Sequence, residues 1–263
     1  MIQRRFSSSG RSATSLVALA FGACQQELVV GQWACDPEAA VTEISDDSST
    51  PLGSWSTSFE EQFCGYIRPE GFCYAAPAAS YKTVTSPVHS GRFAAAFSVS
   101  AGDPDGHQTR CVREGVLPDA AYYGAWFFIP VRLTNTGLWN LVHFQGGDPS
   151  RLHGLWDISL VNQPNGDLEL VVYDFLNRST RKANVPTSIP IGEWFHVELY
   201  WKRAADATGE VALYQDERLL FEAKGIVTDD SDWGQWYVGN LAASLSASAS
   251  TLYVDDVTIR SAR

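Results

Sequence analysis

Phe195, Val197, Leu199 and Trp201 alternate with Trp194, His196, Glu198 and Tyr200. A period of two is what a half-buried strand requires, because successive side chains leave the pleat on opposite faces. The polar stretch 202–209 turns the chain, and Val211, Leu213 and Tyr214 begin a return strand. Gln215-Asp216-Glu217-Arg218 makes a second turn, and Leu219, Leu220 and Phe221 pair back after it. Such a meander predicts an antiparallel sheet with one dry face and one wet face. The same patterning predicts strands at 82–84, 92–99, 108–114, 121–129, 138–145, 155–162, 168–174, 233–240 and 252–260. Turn sequences fall between them at Asp103-Pro104-Asp105-Gly106, Gly146-Gly147-Asp148-Pro149 and Pro164-Asn165-Gly166. About a dozen short strands and no convincing helix predict an all-β, two-sheet antiparallel sandwich of jelly-roll type. Residues 61–80, with Gly65, Pro69, Gly71 and Pro77, read as loop, and the chain has no internal repeat.

The strand-turn-strand stretch resembles the laminin-G and concanavalin A-like jelly rolls. Gly192, Trp194, His196 and Val197, then Gly209, Val211, Leu213, Tyr214 and Asp216, carry the likeness, with Glu217 where those folds place glycine. The resemblance implies a fold and leaves function open, because this fold hosts lectins, hydrolases, lyases and adhesion modules.

The 263 residues divide into a leader at 1–24, an acidic Ser/Thr-rich tether at 25–54 and one domain at 55–263. Arg4, Arg5 and Arg11 precede the apolar run Leu16–Ala23, a secretory signal pattern too short to anchor in a bilayer. Gly22-Ala23-Cys24 resembles a bacterial lipobox, which implies lipidation at Cys24, with Phe21 where Leu is usual. Simple secretion is the alternative. Either way the chain is exported, and it meets a membrane only through a lipid anchor. Cys35, Cys64, Cys73 and Cys111 remain, an even number that implies two disulfides in an exported chain. Cys64 with Cys73 and Cys35 with Cys111 is the preferred pairing. Zinc is the weaker alternative, since no C-x-x-C or H-x-x-x-H spacing is present.

Net charge is −11, and without residues 1–53, which hold three Arg and six acids, it is −8. That excludes nucleic acid as the expected partner.

Strand parity gathers the candidate chemistry. Val142 and Phe144 are expected in the core, leaving Trp139, Leu141, His143 and Gln145 on the opposite face. Leu168, Leu170 and Val172 point in, with Glu169, Val171 and Tyr173 out. Trp236 and Val238 point in, with Gln235 and Tyr237 out. Arg110 and Arg113 fall on opposite faces of their strand, so only one reaches a shared cleft. A face holding Arg, His, Gln, Tyr and Trp suits a polysaccharide, with rings for pyranose faces and planar polar groups for hydroxyls and carboxylates.

Arg110-Cys111-Val112-Arg113-Glu114, His143-Phe144-Gln145 and Trp236-Tyr237-Val238-Gly239-Asn240 are similar, in order along the chain, to three strand motifs of jelly-roll polysaccharide lyases. The alginate, glucuronan and heparin-lyase-I-like groups carry these as R-x-E, Q-x-H and Y-x-K-x-G. Here His and Gln are reversed and the Lys is absent. The resemblance implies β-elimination at a uronate: Arg110 or Arg113 with Gln145 neutralises the carboxylate, His143 takes the proton, and Tyr237 or Tyr173 protonates the leaving oxygen. Trp139, Tyr173, Gln235 and Asn240 are the implied substrate contacts. A non-catalytic carbohydrate-binding or adhesion module, or a structural surface protein, would use the same fold. The chain is expected to act as a monomer.

Phe59-Glu60 and the 252–259 segment also resemble the first and last strands of carbohydrate-active jelly rolls, implying structural calcium at Glu60 with Asp255 or Asp256. The acids at 229, 230 and 232, and the basic Arg178, Arg181 and Lys182, read as solvated loops. A retaining hydrolase's E-x-D-x-x-E run, a G-x-S-x-G elbow and a P-loop are all missing.

Overall fold

The computed structural model describes residues 54–67, 70–100, 106–184, 187–246 and 249–263, together with Cys35 and the backbone of Leu16–Ala18 and Glu27–Val30. In chain order the strands are β1 (Leu16–Ala18), β2 (Glu27–Val30) and β3 (Trp55–Thr57), followed by one helical turn, α1 (Cys64–Ile67). Then come β4 (Gly71–Ala75), β5 (Ala79–Val84), β6 (Ala94–Ser100), β7 (His107–Val116), β8 (Ala120–Phe128), β9 (Asn135–Asp148) and β10 (Arg151–Asn162). The last are β11 (Leu168–Asp174), β12 (Ser179–Lys182), β13 (Trp194–Lys202), β14 (Gly209–Gln215), β15 (Arg218–Ile226), β16 (Trp233–Leu245) and β17 (Ala249–Arg260).

They form two antiparallel sheets packed as a sandwich, as expected. The larger runs β1-β2-β4-β7-β16-β9-β10-β11-β12, and the smaller runs β15-β14-β13-β8-β17-β6-β5 with β3 added beside β17. One continuous core fills the space between them. Trp139, Trp156, Trp201 and Trp236 are its largest buried side chains. On β13, Phe195, Val197, Leu199 and Trp201 face this core, as their alternation requires. Leu168, Leu170, Val172, Trp236 and Val238 do the same.

Parity breaks at a bulge on β9. Between β10 and β9 the register slips where Ile158 pairs Val142 but Ser159 pairs Asn140. The extra residue turns Trp139 and Leu141 into the core alongside Val142 and Phe144. Trp139 is therefore core and not a cleft platform. On β16 the register against β9 slips between Val238 and Leu241. Gly239 sits there at φ +150°, and a Cβ would meet the Thr109 carbonyl oxygen at 2.5 Å. Asn240 keeps the inward parity of Trp236 and Val238, donating to the Phe97 carbonyl oxygen and to Ser250. Asn240 ties the sheets together and is not a cleft residue.

The disulfides also differ from expectation. Cys73 and Cys111 face one another across β4 and β7 and are bonded, and Cys35 is bonded to Cys64 on α1. The Gly- and Pro-containing stretch 61–80, loop-like in sequence, holds β4, which makes Cys73 the cross-strand neighbour of Cys111. Two disulfides fit an oxidising compartment. Of residues 1–53, only Cys35 and the backbone of β1 and β2 are described, and Cys24 lies outside the described residues. Among the described residues no helix is long and apolar enough to cross a membrane.

Candidate active site on the outer face of the larger sheet

β7, β16, β9, β10 and β11 are consecutive neighbours in the larger sheet. Their outward side chains therefore lie side by side at strand spacing. Tyr237 is directly opposite His143, which is opposite Asp157, which is opposite Tyr173. One row across four strands thus reads Tyr, His, Asp, Tyr. In the adjacent row Gln235 is opposite both Glu114 and Gln145.

His143 Nδ1 lies 2.5 Å from Asp157 Oδ1. An ionised carboxylate only accepts, so it holds the ring proton on Nδ1 and leaves Nε2 as a proton acceptor. The ring is only 6% exposed and is flanked by Tyr237 at 5.3 Å and Phe175 at 5.8 Å between centroids. Asp157 was not singled out in the sequence, although it stands as the polar position between buried Trp156 and Ile158.

The Tyr237 hydroxyl lies 2.9 Å from Gln145 Oε1 and also meets Gln235 Oε1. It has one proton, so it serves one amide oxygen at a time. Gln235 is oriented by its own donation to Glu114 Oε2 at 2.7 Å. Gln145 Nε2 is buried and makes no hydrogen bond within the protein. Burial, with the neighbouring Tyr74 hydroxyl acting the same way, raises the Tyr237 phenol well above its ordinary value, and the Arg110 guanidinium opposes this. The group is held as a phenol and not as a phenolate.

The two arginines separate as parity predicts. Arg110 is on the site face, its guanidinium 5.7 Å from the Tyr237 ring centroid and donating to Asn140 Oδ1 at 2.6 Å. Asn140 is fixed in turn by donations to the Val142 and Ile158 carbonyls and to Ser159, so the bulge on β9 aims Arg110. Arg113 lies inside the sandwich, over Trp55 at 4.8 Å and donating to the Tyr66 carbonyl. Burial lowers its pKa to about 10. It is thus excluded from the cleft. Beside Tyr237 on the same face, Val112 directly opposite it, with Tyr74, Ala76 and Phe72, makes up a small apolar cluster separate from the main core.

The acids expected to hold calcium grip one loop elsewhere. Glu60 Oε1 accepts from the backbone N–H groups of Arg92 and Phe93 at 2.7 and 3.0 Å. Asp255 accepts from the N–H groups of His89, Ser90 and Asp256. Asp256 binds His89 Nδ1 at 2.6 Å and the Ser90 hydroxyl at 2.8 Å. Burial, with a smaller contribution from the Asp256 charge, raises Asp255 to about 6. Among the described residues no group of three or more His, Cys, Asp or Glu side chains is arranged to hold a metal. The hard oxygens and the buried Asp255 suit calcium in kind, which would then draw its remaining ligands from loop carbonyls and water.

The other histidines stand away from this row. His153 pairs with Asp230, and His196 packs on Trp126 across the opposite sheet. Arg181 pairs with the buried Asp174, and Lys182 with Glu169.

No protein-family model matches the chain, and no curated protein sequence matches it. Solved structures do. An endo-β-1,4-glucuronan lyase from the fungus Trichoderma reesei matches at 20% identity and a TM-score of 0.50, covering 70% of this chain and 87% of its own. A cellulose-induced protein, Cip1, matches at 16% identity and 0.55, covering 79% and 97%. The alginate lyase Aly36B matches at 10% identity and 0.55, covering 81% and 99%. At such identities what is shared is the fold, the two-sheet antiparallel jelly roll on which polysaccharide lyases are built.

Proposed function

We propose that the chain is an exported polysaccharide lyase that cleaves a uronate-containing polymer by β-elimination. The observation that carries this reading is the convergence of Arg110, Gln145, His143 and Tyr237 on one sheet face, with Asp157 fixing the imidazole. Support also comes from the fold, whose solved examples include lyases of glucuronan and alginate.

In this mechanism the substrate carboxylate meets the Arg110 guanidinium and the unpartnered Gln145 amide N–H, which stabilise the charge that develops when C5 loses its proton. His143 Nε2 takes that proton. The C5–H electron pair becomes the C4=C5 double bond, the C4–O bond breaks, and the departing oxygen takes the Tyr237 proton. Proton return from the imidazolium to the phenolate, through solvent, resets the site. Export through the leader, with lipidation at Cys24, and action as a single chain belong to the same proposal. So does a structural calcium at the Glu60, Asp255 and Asp256 loop, outside the chemistry.

A second reading, a binding module without turnover, is favoured by one observation. Tyr237 is 2% exposed and its hydroxyl is already engaged by two glutamines. Incubation with alginate, glucuronan and heparin-like polymers, followed by ultraviolet absorbance of unsaturated uronate ends, separates the two. The lyase reading expects absorbance that His143→Ala abolishes. Binding of a polymer with no absorbance change overturns it in favour of the module.

A further inference from the structure

The outer face of the smaller sheet is aromatic where a solvated sandwich face is ordinarily polar. Tyr253, Phe128 and Trp194 lie directly opposite one another on β17, β8 and β13. All three are half-buried, and neighbouring rings are 5.5–5.8 Å apart. Six residues back along β8, Tyr122 pairs with Tyr200 at 4.8 Å, and Tyr214 lies 6.5 Å from Tyr122. At about 3.4 Å per residue the two ring groups are about 20 Å apart along the strands. Between them on β8, Trp126 continues the row, with His89 stacked on it at 3.8 Å and His196 at 5.2 Å, and the His196 ring fills the space over Gly124.

Charges on this face close among themselves. Glu198 is buried and held by both Arg260 and Arg263, Asp256 by His89, and Lys202 by Glu210. Arg263 also lies over the Tyr214 ring at 3.9 Å. On a chain of net charge −11, this face sets balanced charge and a guanidinium beside ring faces. An acidic polymer is tolerated here, and its sugar rings meet aromatic planes.

We propose that this face is a second polysaccharide-binding track, on the side of the sandwich away from His143 and Tyr237, that holds an extended stretch of the same acidic polymer. It rests on the polysaccharide reading above for its ligand class, and on its own geometry for its place. Two ring groups spaced along one direction, with Trp126 between them, match a linear chain of rings.

The test is retention of the full chain on immobilised alginate and glucuronan, scored beside turnover of short oligosaccharides. Trp194→Ala and Tyr200→Ala are expected to weaken retention by about tenfold each. Oligosaccharide turnover and His143→Ala retention should be unchanged. Tyr200→Leu keeps the apolar packing without the ring and should weaken retention like Tyr200→Ala. Retention unaffected by all three track variants overturns the proposal, as does failure of the wild type to bind either polymer. A wild-type dimer that the track variants dissociate would assign the face to a second copy and overturn it too. Retention without turnover sinks the lyase reading and leaves the track standing.

Discussion

Tyr237 and His143 stand directly opposite one another on neighbouring strands, their rings 5.3 Å apart, and each is oriented by a different partner, Gln145 for the phenol and Asp157 for the imidazole. A proton acceptor and a proton donor thus sit on the same side of one sheet. Replacing Tyr237 with Phe keeps the ring packed against Val112 and Tyr74 and removes only the hydroxyl. Turnover should fall by about 10²–10⁴-fold. Gln145 and Gln235 then lose their shared donor, and stability should fall by about 1–3 kcal/mol in a denaturant titration. An active Tyr237→Phe variant would remove this residue from the chemistry.

Asp157→Asn tests positioning apart from chemistry. An amide in place of the carboxylate no longer fixes the Nδ1 proton or stabilises an imidazolium. The value of kcat should drop with KM little altered, and Asp157→Glu, which restores a carboxylate, should recover part of it. Full activity in Asp157→Asn would mean that the carboxylate plays no part in orienting the base.

The two arginines give a paired experiment. Arg110→Met should abolish turnover, because it removes the cation facing the cleft. Arg113→Met lies between the sheets and should change Tm with kcat/KM kept within a few-fold. Equal losses of activity would show that the face assignment is mistaken.

Alkali should reveal the buried phenols. Tyr66, Tyr74, Tyr123 and Tyr237 are all raised by burial, Tyr74 to about 12. Each folded pKa lies above the unfolded value of about 10, so the folded state binds more protons above that pH. Their contribution is fully present below pH 10 and is lost as pH rises through the folded values. Phenolate absorbance should therefore rise in two stages, the second coinciding with loss of the circular dichroism signal. A single smooth titration of all ten tyrosines below the unfolding transition contradicts their burial.

Calcium is tested by melting. Ion at about 100 times its Kd adds about 2.7 kcal/mol, a rise of several degrees in Tm that EDTA should reverse. Glu60→Gln and Asp255→Asn should remove the response. An unchanged Tm at millimolar calcium excludes the ion.

How much of this could be read beforehand follows from where the strands are regular. β11, β13 and the 235–238 segment alternate without interruption, and every inward and outward assignment made there matches the structure. Trp139 was misassigned because it lies past a bulge, and one extra residue inverts the positions beyond it. Asn240 came from the motif likeness alone, although the alternation of Trp236, Val238 and Ala242 already turns it inward. Asp157 was legible as a polar residue between apolar ones, but its importance depends on which strand lies next to β10. The cysteines failed for the same reason. Their pairing depends on β4, a five-residue strand embedded in Gly- and Pro-containing sequence.

The Cys35–Cys64 bond gives the region between them an unusual relation to proteolysis. A single cut anywhere from 36 to 53 opens a covalent ring without dividing the molecule in two. Whatever holds the chain upstream of Cys35 would keep its grip on the sandwich after such a nick, and shedding would need a reductant as well as a protease. On a non-reducing gel the clipped protein should migrate near its uncut size, and only thiol treatment should free the shorter fragment.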